Sequence, residues 1–80
     1  MRVRVLAFGR IRELLGAEQT LDLPAGARLC DVLPGLSERF SELQTLAGST
    51  RIARNGRIGP PDEPIEDGDE LALLPPVGGG

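Results

Sequence analysis

Leu29, Val32, Leu33, Leu36 and Phe40 recur at positions i, i+3, i+4, i+7 and i+11 of the sequence, the spacing of a helix with one apolar stripe. No other segment is patterned for a helix of about three turns. A stripe of this kind must be covered, and the segments on either side of it read as short strands, so the expected arrangement is one main helix lying across one face of one sheet. Pro34 falls inside the stripe. In mid-helix it would remove a hydrogen bond and cost about 3 kcal/mol, and its position on the solvent side predicts a kink convex to water.

The strands follow from alternation and from turn residues. Arg2 to Phe8 puts Val3, Val5 and Ala7 on one face and Arg4, Leu6 and Phe8 on the other; Gly9 ends it. Ile11, Leu14 and Leu15 then predict a short helix over residues 10–15, stopped by Gly16. Glu18 to Leu23 is a second strand with Leu21 and Leu23 inward, ended by Pro24-Ala25-Gly26. Residues 41–49 read as a loop held by Leu43 and Leu46. Arg51 to Arg54 is a third strand, and Asn55-Gly56 is a strong hairpin signal leading into Arg57-Ile58. After the rigid Gly59-Pro60-Pro61 and a turn at Asp67-Gly68, Glu70 to Leu74 is the last strand, and Pro75 and Pro76 end its pairing. The expected fold is α+β: a ubiquitin-like β-grasp with a mixed sheet of about four to five strands. Residues 1–74 would form the domain and 75–80 an extended tail.

Composition narrows the chemistry. The chain has no His, Trp or Tyr, and only one Cys, which removes the usual general base, every Ser-His or Cys-His pair and any disulfide within the chain. Its nine basic residues, all Arg, face twelve acids for a net charge of -3, which speaks against nucleic acid and anionic membranes as partners. The opening MRVRVLAFGR holds an apolar run far too short for a secretion signal, and a cytoplasmic address is expected.

The last six residues, Pro75-Pro76-Val77-Gly78-Gly79-Gly80, directly follow the last strand. Two prolines favour an extended path, and six residues reach about 20 Å. Glycines at the tip carry no side chain to obstruct a narrow channel. The group left to react is the Gly80 carboxylate, which is ionised at neutral pH and a poor electrophile until another enzyme activates it.

Two blocks, VLAFGRIRELLG at 5–16 and DGDELALLPPVGGG at 67–80, together with the Asn55 hairpin, resemble the MoaD/ThiS family of sulfur carriers, on its molybdopterin-synthase branch. Gly78, where the family commonly has Ser, Thr or Ala, and Pro34, in a helix usually free of proline, depart from the pattern. The resemblance implies that an E1-like, MoeB-like adenylyltransferase uses ATP to adenylate Gly80. Sulfur from a donor enzyme then makes a thiocarboxylate, and the tail (Pro75, Pro76, Val77, Gly78 and Gly79) inserts into a MoaE-like large subunit. There the sulfur passes to a pyranopterin precursor in molybdenum cofactor synthesis. The carrier is a co-substrate; it binds no permanent cofactor and no metal, and the catalytic residues belong to the large subunit. The resemblance places the partner face on Phe8, Arg12, Ile58 and Leu74. Sulfur carriage for thiamine, cysteine or tRNA thiolation, and a ubiquitin-like modifier or binding module, are the alternatives.

Three other features have the residue types of sites. Cys30 has no His to activate it and lies beside the apolar stripe, which speaks against a role as nucleophile or sulfur relay. The acids Asp62, Glu63, Glu66, Asp67, Asp69 and Glu70 lack the spacing of a calcium loop and read as a solvated turn. Arg2, Arg4, Arg10 and Arg12 read as surface ion pairs or docking contacts. Deleting Gly79 and Gly80 is expected to abolish sulfur transfer while leaving the melting temperature unchanged, since the tail lies beyond the last strand; melting and transfer measured on the same preparation check this.

Overall fold

A computed structural model describes residues 1–75. In it both edges of β1 (Arg2–Ala7) are paired: β2 (Glu18–Asp22) lies antiparallel on one side, and β5 (Glu70–Leu74), the middle strand, lies parallel on the other. β3 (Arg51–Arg54) pairs antiparallel with β5, and β4 (Arg57–Ile58) closes the far edge, giving a five-stranded mixed sheet in the order β2-β1-β5-β3-β4.

The register aligns the inward side chains. Val3 faces Leu21, Val5 faces Leu71, and Ala7, Leu73 and Ile52 form a continuous row, all of them buried. Against this face pack Ile11 and Leu15 of α1 (Gly9–Leu15), Val32 and Leu36 of α2 (Val32–Ser37), and Leu43. Each such side chain removed from water contributes about 1.5–3 kcal/mol. Leu43 sits in a 3₁₀ turn, Ser41–Thr45, and is fully buried, so the expected loop is pinned as its apolar residues predict.

The main helix differs from expectation. Leu29–Asp31 is a 3₁₀ turn and the α-helix begins only at Val32, so about two turns of α-helix replace three. Pro34 is the reason: its ring would clash with the carbonyl four residues back, that of Cys30, if the α-helix ran through it. Starting at Val32 places Pro34 in the first turn, where no intrahelical hydrogen bond is lost and no kink is needed. Upstream, Asp31 accepts the Arg28 N–H at 2.8 Å, which settles the tighter turn. The stripe still points inward, with Leu29, Val32 and Leu36 buried and Leu33 and Phe40 packed at its margin.

The Asn55-Gly56 hairpin forms with both residues at positive φ, 51° and 89°, the geometry of a type I′ turn. Asn55 does more than turn the chain. Its backbone N–H donates to the Glu70 carbonyl at 2.8 Å, its side-chain oxygen accepts the Glu70 N–H at 3.0 Å, and its side-chain amide donates to Asp69 at 3.0 Å. The hairpin therefore fixes the point at which β5 begins.

The acidic run is not simply a solvated turn. Asp69 is 7% exposed, and Arg54 draws the run together: its Nε donates to Asp69 at 2.6 Å and its Nη1 to Glu63 at 3.3 Å, with Glu66 at 3.8 Å. The loop is fastened on its other side to residues 27–30, where Leu29 N–H donates to Glu63 O, Cys30 N–H to Pro61 O and Ile65 N–H to Ala27 O. Ile65, absent from the expected core, is thereby buried.

Burial by itself pushes the Asp69 carboxyl up, but hydrogen bonds from Arg54, the Glu66 N–H and Asn55, with the Arg54 charge, hold it below the ordinary range. A carboxyl lowered in the folded state stabilises the fold fully above its unfolded pKa of about 3.9, and that contribution is lost as pH falls through the folded value. Asp69→Asn is therefore expected to cost about 1–3 kcal/mol at neutral pH. Urea unfolding from pH 7 to 3 should show the gap between variant and parent narrowing below about pH 4.

Candidate functional site: an apolar face at the origin of the tail

The sheet has a second face that, among the described residues, no helix covers. Pairing across the strands sets Leu6, Ala72, Ala53 and Ile58 side by side in one row on this face. Ala53 is buried although it lies outside the helix-side core, so neighbours on the outer face cover it. Phe8 and Ile58 are the large hydrophobic side chains left exposed among the described residues, at 43% and 52%.

Because β1 and β5 run parallel, their C-terminal ends lie together. Leu6 pairs with Ala72, and two residues further along stand Phe8 and Leu74, at the same end of the central pair. Phe8 is the extended residue that caps α1. Leu74 is half-buried on the outer side of β5, opposite the buried Leu71 and Leu73, as alternation predicts. Arg12, in the first turn after Phe8, is exposed on α1, off the sheet, and its N–H donates to the Phe8 carbonyl at 3.3 Å. Phe8 and Leu74 thus share one end, Ile58 stands across the face on the edge strand, and Arg12 flanks the Phe8 end.

Polar pairs lie along the strands from the apolar row, towards the start of β1. Arg4 lies 3.2 Å from Glu18 and 3.4 Å from Glu70, and Arg2 is 3.0 Å from Asp22. The Glu18 hydrogen bond, with the charges of Glu18 and Glu70, raises the Arg4 pKa further, and Arg2 lowers that of Asp22. These exposed pairs add little stability. Their effect is to pair the guanidinium groups of Arg2 and Arg4 with carboxylates. The expectation of ion pairs for Arg2 and Arg4 is met.

Ala72 and Ala53, the floor of the row, are absent from the residues expected at the site. Ala72 was legible, since it is two residues before Leu74 and so shares its face; Ala53 was not, because a four-residue strand with Arg at both ends gives no outward apolar signal. Pro75 is half-buried directly after β5. Pro76, Val77, Gly78, Gly79 and Gly80 lie outside the described residues.

Cys30 is exposed and lines a cleft of about 370 Å³ with Leu29, Leu33, Ile52 and Ile58. Among the described residues no cluster of three or more His, Cys, Asp or Glu side chains could hold a metal ion, and no helix is long and apolar enough to cross a membrane.

Residues 5–80 match the model of the ThiS family. The chain is 39% identical to the molybdopterin synthase sulfur carrier subunit of Aedes aegypti, over all of this chain and 90% of that protein. It is 36% identical to the protein of the same name from Chlamydomonas reinhardtii, over the whole of both. Among solved structures, the Haloferax volcanii small archaeal modifier protein 1 superposes with a TM-score of 0.84 at 27% identity, over 95% of this chain and 98% of that one. A chain from the complex of subunits 1 and 2 of the Helicobacter pylori molybdopterin-converting factor gives 0.65 at 31% identity, over the whole of both. The Caldiarchaeum subterraneum ubiquitin gives 0.67 at 20% identity, over 100% of this chain and 98% of that one, a likeness of fold. The expected ubiquitin-like β-grasp is thereby borne out.

The face assignment makes a direct prediction about stability. Ile58→Glu should change unfolding free energy by no more than about 0.5 kcal/mol and Leu74→Glu by about 1 kcal/mol, whereas Leu73→Glu, one residue away in the core, should prevent folding. Denaturant midpoints check it: equal losses for Leu73 and Leu74 would reverse the two faces of β5.

Proposed function

The chain belongs to the ThiS family, and from that premise we propose that it is the sulfur carrier subunit of a molybdopterin synthase. The observation that supports this reading most strongly is the continuity of the outer face with the tail: the apolar row Leu6-Ala72-Ala53-Ile58 shares β5 with Leu74, and β5 leads directly into Pro75. A partner that covers the row is therefore well placed to receive the tail. Phe8, Ile58 and Leu74 would be its apolar anchors and Arg12 its charged contact, in keeping with the aromatic and Arg enrichment of interface centres. The Helicobacter pylori complex supports a large-subunit partner for this chain.

In the proposed cycle the Gly80 carboxylate attacks the α-phosphate of ATP on an E1-like enzyme, and pyrophosphate leaves. A persulfide held by that enzyme or by a donor then displaces AMP to form an acyl disulfide, and a thiol cleaves its S–S bond, leaving the thiocarboxylate and a protein disulfide. In the large subunit the sulfur is delivered to a pyranopterin precursor, water restores the carboxylate, and a second carrier completes the dithiolene. The carrier's own contribution is positioning. It has no His and needs none, because the base and the nucleotide site are supplied by its partners.

The likeness to the Haloferax volcanii modifier favours a second reading, attachment of Gly80 to lysines of other proteins. With no lysine of its own, the chain cannot form isopeptide chains on itself. Mass spectrometry of the chain made with its native activating enzyme separates the two: replacement of one oxygen by sulfur at Gly80 is expected, and conjugates to foreign lysines would replace the carrier reading. In the same system Leu74→Glu and Ile58→Glu should each weaken docking to the large subunit at least about tenfold.

A further inference from the structure

Five glycines among the described residues have positive φ: Gly9, Gly16, Gly26, Gly56 and Gly68. At Gly26, Gly56 and Gly68 an added Cβ would meet nothing within 4 Å, and at Gly16 only the end of the Gln19 side chain at 3.8 Å. Gly9 is different. A Cβ there would lie 3.0 Å from Pro75 Cγ and 3.6 Å from Pro75 Cβ, so the space a side chain would take is already filled by the proline ring. Gly9 stands at φ +56° where β1 turns into α1, and Pro75 is the first residue after β5. The two meet at the C-terminal end of the central parallel pair, whose last partners are Ala7 and Leu73.

We propose that Gly9 is a positioning residue for the tail: its bare Cα is the seat of the Pro75 ring, and this seat sets the direction in which the C-terminal residues leave the sheet. Proline has no N–H with which to continue the ladder, so strand pairing cannot orient the chain beyond Leu74. Ring-on-backbone packing can, because the ring is rigid and the glycine offers no rotamer to yield. A shift of the ring on its seat changes the direction in which the backbone leaves Pro75. The functional consequence rests on the sulfur-carrier reading; the seat itself does not.

A double-mutant cycle between Gly9→Asn and Pro75→Ala tests it. Asn tolerates the left-handed region better than most residues, so Gly9→Asn tests the Cβ contact with the least backbone strain. Pro75→Ala removes the Cγ that the new Cβ would strike. With Pro75 present, Gly9→Asn should slow sulfur delivery about tenfold at saturating large subunit, while docking affinity stays within about twofold. In the Pro75→Ala background the same substitution should cost less than about twofold. Equal losses in both backgrounds, or none in either, would overturn the seat.

Two measurements separate the seat from the function beneath it. An NMR contact between the Gly9 α-protons and the Pro75 ring is expected in the free chain, and its absence defeats the seat whatever the tail carries. A wild-type chain that never gains sulfur defeats the carrier reading alone. The seat then stands or falls on the Val77 amide dipolar coupling, which Gly9→Asn must shift in the Pro75 chain and must not shift in the Pro75→Ala chain.

Discussion

The side-by-side pairing of the first strand with the last is the interaction on which the rest of this molecule depends. β1 and β5 are parallel, and their pairing, from Arg4 with Glu70 to Ala7 with Leu73, closes nearly the whole chain into one loop. Parallel neighbours cannot be joined by a tight turn. Everything between them has to cross over the sheet or extend it, and α1, β2, α2 and the β3–β4 hairpin are that connection. The same pairing brings Val5 beside Leu71 and Ala7 beside Leu73, which makes the core, and Leu6 beside Ala72, which makes the outer row.

A long-range contact of this kind is entropically costly to close, and two local devices support it. The Asn55 turn bonds both the N–H and the carbonyl of Glu70, and the Arg54 cluster gathers Asp69, Glu63 and Glu66 at the start of the same strand. Both act at the entry of β5, away from its exit at Leu74. The division anchors the first end of the strand, while its last end runs on into Pro75. At the exit the anchoring is apolar, with Phe8, Leu74 and the Gly9–Pro75 contact at one corner.

Some elements were legible in the sequence because a local rule decides them. Val3, Val5 and Ala7 alternate, so β1 has one inward face in any sheet; Asn55-Gly56 accepts two positive φ values, so the hairpin forms at that dipeptide. Leu74 could be placed opposite Leu71 and Leu73 by period alone. The length of the main helix was not legible, because the apolar stripe continues through Pro34 while the backbone cannot. Asp69 looked like one acid among six. Its burial depends on Arg54, fifteen residues away, and no local pattern announces a partner at that separation.

The sequence by itself determined the strands and the Asn55 hairpin, the inward and outward residues of each strand, and the two prolines followed by glycines after the last strand, since these depend on neighbours within a few residues. Only the tertiary structure decided which outward residues share a surface. Ala53, Ala72, Leu6 and Ile58 come from four strands and meet through register, and Gly9 meets Pro75 across the chain. Register and closure are properties of pairing between distant strands, set by the free energy of the assembled core and not by any segment alone.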